Sequence, residues 1–261
     1  MRARLTMRVV QSLLGAGGWR RAFGALAPAR PAIWVVVLGA AFAVTLGVTP
    51  ATAHAEVAAA DPIDASMRAC LARSDMSSTV GQVQCMDNAR IGWKAALDGA
   101  WQQLDAKLPR ARRKQWEKSQ ASWEASREVE KQLLAAVFAT THGSMYVLAE
   151  ADMQLQPVRD RALALRSAMA RINAGGDAPR RPRACNADAQ CEHAMFDLNR
   201  YYRRLQTKMP TRSRPTLVRA QKAWTAYLNA TTPLVDERGR IDIIGARVAT
   251  LKRLSETVGN D

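Results

Sequence analysis

The sequence predicts an all-α protein made of two tandem, related antiparallel helical bundles, with about three helices each, after an N-terminal signal segment. The clearest sign is an internal repeat, because Trp101–Leu134 and Tyr202–Val235 align without a gap at a constant offset of 101 residues. Such a repeat indicates one supersecondary unit used twice. Apolar residues recur at steps of three and four, and no segment sustains the alternation of a strand. The matched pairs include Leu104 with Leu205, Pro109 with Pro210, Gln120 with Gln221, and Trp123 with Trp224.

The helices of each half follow from the apolar stripe and its breaks. Pro109 and Pro210 end the first helix of each half at the same point of the repeat, because proline does not continue a helix. The second helix then begins near Arg110 in one half and near Ser213 in the other. The third helices are expected from about Ser144 to Met169 and from about Ile241 to Val258.

Residues 1–55 have the composition of a secretory signal. They carry six arginines and no acid, then the apolar run Ala32–Val48, and then the small-residue site Ala53-His54-Ala55. We expect cleavage after Ala55 and a periplasmic or secreted mature protein. An uncleaved membrane anchor is the alternative, although the apolar run is short for a spanning helix, which needs about 20 residues.

A Pro-, Gly- and Arg-rich segment divides the mature chain. Residues 174–184 cannot continue a helix, so they form a linker between a first unit at 56–173 and a shorter second unit at 185–261. The repeat offset falls from 101 to 86 near Asp160 and Ala246, so the first unit carries 15 extra residues between Leu134 and Asp160. Extra length at a turn is where a binding function could be added, and a longer helix pair is the alternative.

All four cysteines lie in the mature part of the chain. In an exported protein an even number indicates disulfides, and four cysteines allow three pairings. The local pairing of Cys70 with Cys85 and of Cys185 with Cys191 is favoured, because short loops close easily. A zinc site is disfavoured by the spacings and by a single nearby histidine, His193.

The mature protein is basic. Removing the leader lowers the formal net charge from +15 to +9. A basic surface favours anionic partners, and in an exported protein these are envelope polymers or lipids rather than nucleic acid. Ordinary solubilising charge on a scattered solvated face is the alternative. The candidate anion-binding residues cluster at the first interhelical corner of each half: Arg110, Arg112, Arg113, Arg212 and Arg214.

The residues shared by the repeats are those of packing rather than of catalysis. Gln120 and Trp123 lie on one helix face, as do Gln221 and Trp224. We expect each Gln to bond the backbone of a neighbouring helix while its Trp fills the core, with ligand contact as the alternative. His142 and Ser144 do not suggest a hydrolase, because residues two apart in a turn rarely align and no orienting acid is identifiable. We therefore predict no enzyme, no cofactor and no metal.

The order of motifs from about Cys70 to Met169 resembles the LprI-like domain of the lysozyme inhibitor family. The Cys70 and Cys85 pair is followed by a helix with spaced aromatic and Leu positions. Then come Gln-x-x-Trp with a later Arg, a Gly-Ser-x-Tyr turn, and an Arg-x-Arg pair. In this chain those motifs are Gln120, Trp123 and Arg127, then Gly143-Ser144-Met145-Tyr146, then Arg159 and Arg161. The second unit keeps only Cys185, Cys191, Gln221, Trp224 and Arg247.

This resemblance implies an exported, non-catalytic protein that occludes the cleft of a partner protein, such as a lysozyme-type enzyme. The candidate contact residues are His142, Gly143, Ser144 and Tyr146 in the Leu134–Met153 region. Lysozymes are commonly basic, so long-range repulsion would slow association unless an acidic patch offsets it. The candidate patch is Glu124, Glu128 and Glu130 with Glu150 and Asp152. A structural protein that holds anionic envelope material at the basic corners is the alternative function.

Overall fold

The computed structural model describes residues 61–175 and 182–260, and within these ranges the predicted all-α fold is confirmed. The signal segment 1–55 and part of the predicted linker lie outside the described residues. No strand occurs in the described ranges. The helices are α1 (Pro62–Leu71), α2 (Thr79–Lys107), α3 (Arg110–Phe138), α4 (Ser144–Asn173), α5 (Ala189–Lys208), α6 (Arg214–Thr231) and α7 (Glu237–Thr257).

The helix ends follow local chemistry. α2 and α5 end two residues before Pro109 and Pro210, at the equivalent positions Lys107 and Lys208, as the repeat predicts. Asp188 caps the start of α5 with its carboxylate, and Asp236 does the same for α7, because a side-chain oxygen there satisfies an otherwise unpaired backbone N–H. Ser213 precedes α6 without a side-chain capping bond.

Helix α1 was not predicted. Asp61 accepts a hydrogen bond from the Ile63 backbone N–H at 3.0 Å, and Pro62 stands in the first turn, where its missing N–H costs nothing. The helix is anchored by Asp64, whose carboxylate accepts hydrogen bonds from Trp93 Nε1 at 3.0 Å and from Arg159 Nη2 at 2.8 Å. The hydrogen bonds from Arg159 hold the pKa of Asp64 below its usual value.

The first and third helices of each half pack together, and the middle helices pack on each other. α2 packs along α4 and α5 along α7, while α3 pairs with α6. Ser119, in the first third of α3, lies 2.7 Å from the hydroxyl of Thr231 at the end of α6. Leu133 and Leu134, near the end of α3, belong to the same core cluster as Leu217 near the start of α6. Helices α3 and α6 therefore run antiparallel, and each crosses from its own half toward the other.

The two hydrophobic cores share this middle pair. Leu133, Leu134, Val137 and Phe138 of α3 are buried among residues of α5, α6 and α7. Conversely, Leu234, which follows α6, is buried in the core formed by α2, α3 and α4. The described residues accordingly form one compact unit.

Both disulfides have the favoured local pairing. Cys70 is bonded to Cys85, and Cys185 to Cys191. The expectation that the first pair precedes the first long helix is wrong in detail, because Cys85 lies within α2 and Cys70 within α1. The bridge thus ties α1 to the long helix on which it packs.

Two features are absent from the described ranges. None of the helices there combines the length and the apolarity needed to cross a bilayer. In the same part of the chain, no group of three or more His, Cys, Asp or Glu side chains is placed to hold a metal ion.

Candidate functional site

The extra length of the first unit is almost entirely helix. α3 continues to Phe138 and α4 begins at Ser144, so only residues 139–143 connect them. The Leu134–Met153 region is therefore the closed end of a helical hairpin, called here the α3–α4 tip, rather than a long loop. Gly143 makes the turn with φ 107° and ψ 153°, a conformation that only glycine adopts readily.

The α3–α4 tip brings the four candidate contact residues together. His142, Gly143 and Ser144 are exposed, whereas Tyr146 is partly buried against the core cluster of the second half. Two apolar side chains beside them face solvent, with Met145 67% and Val147 51% exposed. The tip therefore presents an apolar surface that the sequence motifs did not single out.

The basic corners do not form one strip. Because α3 and α6 are antiparallel, their starts lie at opposite ends of the pair, and the 18-residue α6 alone spans about 27 Å. Arg113 donates to the carbonyls of Asp105 and Leu108, and Arg214 donates to the carbonyl of Met209, so both cap the preceding helix. Arg110 and Arg212 are exposed and Arg112 is partly exposed.

Both repeated glutamines bond a side chain rather than a backbone, which corrects the expectation. Arg161 Nε on α4 donates to Gln120 Oε1 at 3.0 Å, and Arg247 Nε on α7 donates to Gln221 Oε1 at 3.1 Å. The corresponding tryptophans, Trp123 and Trp224, are buried as expected. Each half thus carries one Gln–Arg pair that fixes its third helix onto its middle helix.

The candidate acidic patch is not intact. The Glu130 carboxylate is buried and accepts two hydrogen bonds from Arg247 Nη1, both at 2.8 Å. Asp152 is paired with Arg253. Glu124 and Glu128 remain exposed, and Glu150 is partly exposed.

A groove of about 680 Å³ opens over the α3–α6 pair, with α4 and α7 forming its walls. Its floor carries both repeated tryptophans together with Tyr227. Arg127, Arg161 and Arg247 also line it, with Glu130 between them in the same lining. Of these three guanidinium groups, only that of Arg247 is paired with the Glu130 carboxylate.

Burial lowers the pKa of Arg161 and of Arg127, because loss of water disfavours the charged form. Within the described ranges the hydrogen-bond partners of Arg161 are neutral: Gln120, the Ser119 hydroxyl, which lies 3.2 Å from its Nη2, and Tyr227. Its guanidinium also lies over the ring of Tyr227, 5.6 Å from the centroid, and over Trp116 at 6.0 Å. These contacts offset only part of the desolvation of a buried cation.

Sequence reasoning missed the role of Arg161 and Arg247, although the signal was present. Both arginines recur at the offset of 86 that aligns the third helices. Both glutamines recur at the offset of 101 that aligns the middle helices. A polar pair repeated on two adjacent helices predicts a contact, and the two offsets read together would have indicated it.

Comparison with known proteins identifies a family for the first unit of the chain. Residues 64–165 match the family model described as lysozyme inhibitor LprI, and this part of the chain belongs to that family. A crystal structure of a putative uncharacterized protein from Burkholderia thailandensis is 56% identical, with a TM-score of 0.75. The match covers 77% of this chain and all of that one. Among curated proteins no match was found.

Proposed function

We propose that this chain is an exported, non-catalytic inhibitor that occludes the cleft of a lysozyme-type enzyme with its α3–α4 tip. The observation that carries the proposal is the match of residues 64–165 to the lysozyme inhibitor LprI family, because the whole tip lies within that range. The shorter second unit is proposed to be a second, reduced copy of the same domain, which contributes support rather than a second tip.

The shape of the tip suits insertion into a cleft. Only five residues connect two long helices, so the turn at the tip is short. Tyr146 packs on the core and holds the start of α4 in place, while Met145 and Val147 remain free to contact a partner. A rigid apolar protrusion loses little conformational freedom on binding, and this favours affinity.

The charge of the tip also suits a basic partner. Residues 132–158 contain no Lys or Arg, although the mature chain as a whole carries a formal charge of +9. The long-range repulsion expected between two basic proteins is therefore weakest along this segment. Glu150, one turn and a half along α4, adds a partly exposed negative charge beside it.

An inhibition assay with matched variants tests the proposal. The mature protein is added to a lysozyme that is digesting labelled peptidoglycan, and the rate of release is measured. We expect inhibition at micromolar excess, and we expect Met145→Arg and Val147→Arg to weaken it at least tenfold. The control variants are Phe196→Arg and Val218→Arg, which place the same charge at other exposed apolar positions, 58% and 48% exposed.

Three outcomes of this assay decide the proposal. Loss of inhibition in the tip variants alone supports occlusion by the α3–α4 tip. Absence of inhibition by the unaltered protein contradicts the proposed function. Equal loss in the tip variants and in the control variants contradicts the assignment of the tip, because it would make general charge repulsion the cause.

A further inference from the structure

We propose that the groove over the α3–α6 pair binds a small organic anion that has an apolar body. The anionic head group is held by Arg127 with Arg161 and Arg247 beneath it, and the apolar body lies against the aromatic rings of the floor. The groove shares only Leu134 and Met153, the bounds of the α3–α4 tip, with that segment, and the proposal does not depend on the proposed inhibition.

The first observation is a break in the symmetry of the repeat. On the second-half side, Arg247 is neutralised by Glu130, which reaches it from the middle helix of the other half. At the offset of 101 the counterpart of Glu130 is Thr231, which lines the groove on the Arg161 side. Thr231 shares a hydrogen bond with Ser119 and supplies no charge. Arg161 therefore lacks the carboxylate that its counterpart has.

The second observation is an unsatisfied buried donor. Arg247 lines the groove and its side chain is 3% exposed, yet its Nη2 has no hydrogen-bond partner among the described residues. A buried donor without a partner is costly, and native proteins rarely leave one unless something else satisfies it. Because this Nη2 is itself covered, an anion in the groove would compensate its charge from nearby rather than accept its hydrogen bond directly.

Arg127 is a further cation of the lining, which also includes Arg171, Arg238 and Arg253. No hydrogen bond or ion pair joins it to another described residue, and its counterpart in the second half is Leu228, which is buried in the core. The residue lines the groove and keeps part of its surface exposed. Arg127 is therefore the residue placed to contact a head group directly.

The remaining lining fits an apolar body of small-molecule size. Trp123, Trp224 and Tyr227 lie in the floor, and Ile243 of α7 lies in the wall. A volume of about 680 Å³ is within the range of about 300–1,000 Å³ that is typical of ligand pockets. The lining carries six arginines against four carboxylates, those of Glu130, Asp160, Asp236 and Asp242, so its net charge is positive. A cleft with a net positive charge raises the local concentration of anions.

The test uses two fluorescent probes that differ in charge. The mature protein is titrated with 1-anilinonaphthalene-8-sulfonate, which is anionic, and with N-phenyl-1-naphthylamine, its uncharged relative. We expect saturable one-to-one binding of the anionic probe and binding at least tenfold weaker for the neutral one, because a charge-assisted hydrogen bond contributes about 1.5–3 kcal/mol. Competition by 2-naphthoate and by 1-naphthyl phosphate then distinguishes carboxylate from phosphate head groups.

Two variants locate the site. Arg127→Gln removes the accessible cation, and Thr231→Asp supplies the carboxylate that Arg161 lacks. Each variant should weaken the binding of the anionic probe about tenfold and leave the binding of the neutral probe unchanged. Arg204→Gln, an exposed arginine on α5, is the control and should have no effect. If Thr231→Asp does not fold, the binding of the anionic probe to Arg127→Gln decides the test. That variant should fold, because the Arg127 side chain makes no hydrogen bond or ion pair with a described residue.

The proposal is overturned if both probes bind equally, or if Arg127→Gln binds the anionic probe as tightly as the unaltered protein. The variant Arg127→Gln should also inhibit lysozyme as well as the unaltered protein. Loss of probe binding with retained inhibition therefore separates the groove from the α3–α4 tip.

Discussion

Glu130 on α3 and Arg247 on α7 form a buried ion pair that joins the two halves of the chain. Both carboxylate oxygens accept from Arg247 Nη1 at 2.8 Å, and the two side chains are 8% and 3% exposed. The pair lies beside the Gln221–Arg247 bond, so one arginine fixes α7 to both middle helices. The contact is therefore central to how the two repeats are held together.

Removing the charge of Glu130 should destabilise the protein strongly. In Glu130→Gln the buried Arg247 guanidinium loses its counter-charge, and we expect a loss of about 3 kcal/mol in the free energy of unfolding. Urea unfolding followed by circular dichroism measures it. The control is Glu128→Gln, two residues away, where the exposed carboxylate pairs with Lys131 and removal should cost about 0.5 kcal/mol or less.

The double variant Glu130→Leu with Arg247→Met tests the origin of that loss. Replacing both partners by apolar side chains removes the unpaired charge, and the stability should recover most of what the single variant loses. A double variant no more stable than Glu130→Gln would show that the single loss arises from packing and not from charge.

The sequence predicts the helices better than it predicts their partners. The apolar stripe shows which face of α3 is buried. It does not show whether that face packs against α6 of the other half or against the helices of its own half. The repeat predicts the equivalence of Gln120 and Gln221, and the choice of an arginine side chain as their partner depends on the register between helices. In the sequence, Glu130 resembles a surface acid because the charged residues Glu128 and Lys131, which are both exposed, stand close to it.

Helix α1 is a different case, because its signals were present. The Asp61-Pro62 start and the spacing of Ile63 and Met67 are those of a helix that packs on one face. The groove could not have been predicted, since it depends on the separation between α4 and α7. No pattern within a single helix records that separation.

The carboxylate of Asp64 should make stability depend on acid pH. Its pKa is lowered in the folded state, chiefly by the hydrogen bonds from Arg159, so the folded protein holds the proton less tightly than the unfolded chain does. The stabilisation is therefore complete above the unfolded pKa of about 3.9 and is lost as the pH falls through the lower folded value. Urea unfolding between pH 7 and pH 2.5 measures this dependence.

Asp64→Asn should lose about 2 kcal/mol at pH 7, because a hydrogen-bonded charge pair is replaced by a neutral amide. The difference from the unaltered protein should shrink below pH 4. Asp98→Asn is the control, since Asp98 is an exposed partner of Lys94 in α2. A constant difference across the whole pH range would mean that Asp64 acts through packing and not through its charge.

The two disulfides should differ in their contribution. In the chain-entropy account, the loop of 15 residues closed by Cys70–Cys85 gives about 3 kcal/mol, and the loop of six closed by Cys185–Cys191 gives about 2 kcal/mol. Replacing each pair by serines and measuring the free energy of unfolding compares them. A larger loss from the shorter loop would show that packing of the bridge, and not loop entropy, decides the order.

Gly143 should be the least replaceable residue of the α3–α4 tip. Its positive φ lies where a side chain is strained, although nothing lies within 4 Å of the position that a Cβ would take. Gly143→Ala should therefore cost about 1–3 kcal/mol through backbone strain alone. Gly99→Ala is the opposite case, because Gly99 lies within helix α2 with equally open space around it. That change should stabilise the protein by about 0.5–1 kcal/mol. Thermal unfolding of the two variants measures both changes in stability. Equal changes would contradict the assignment of strain to Gly143.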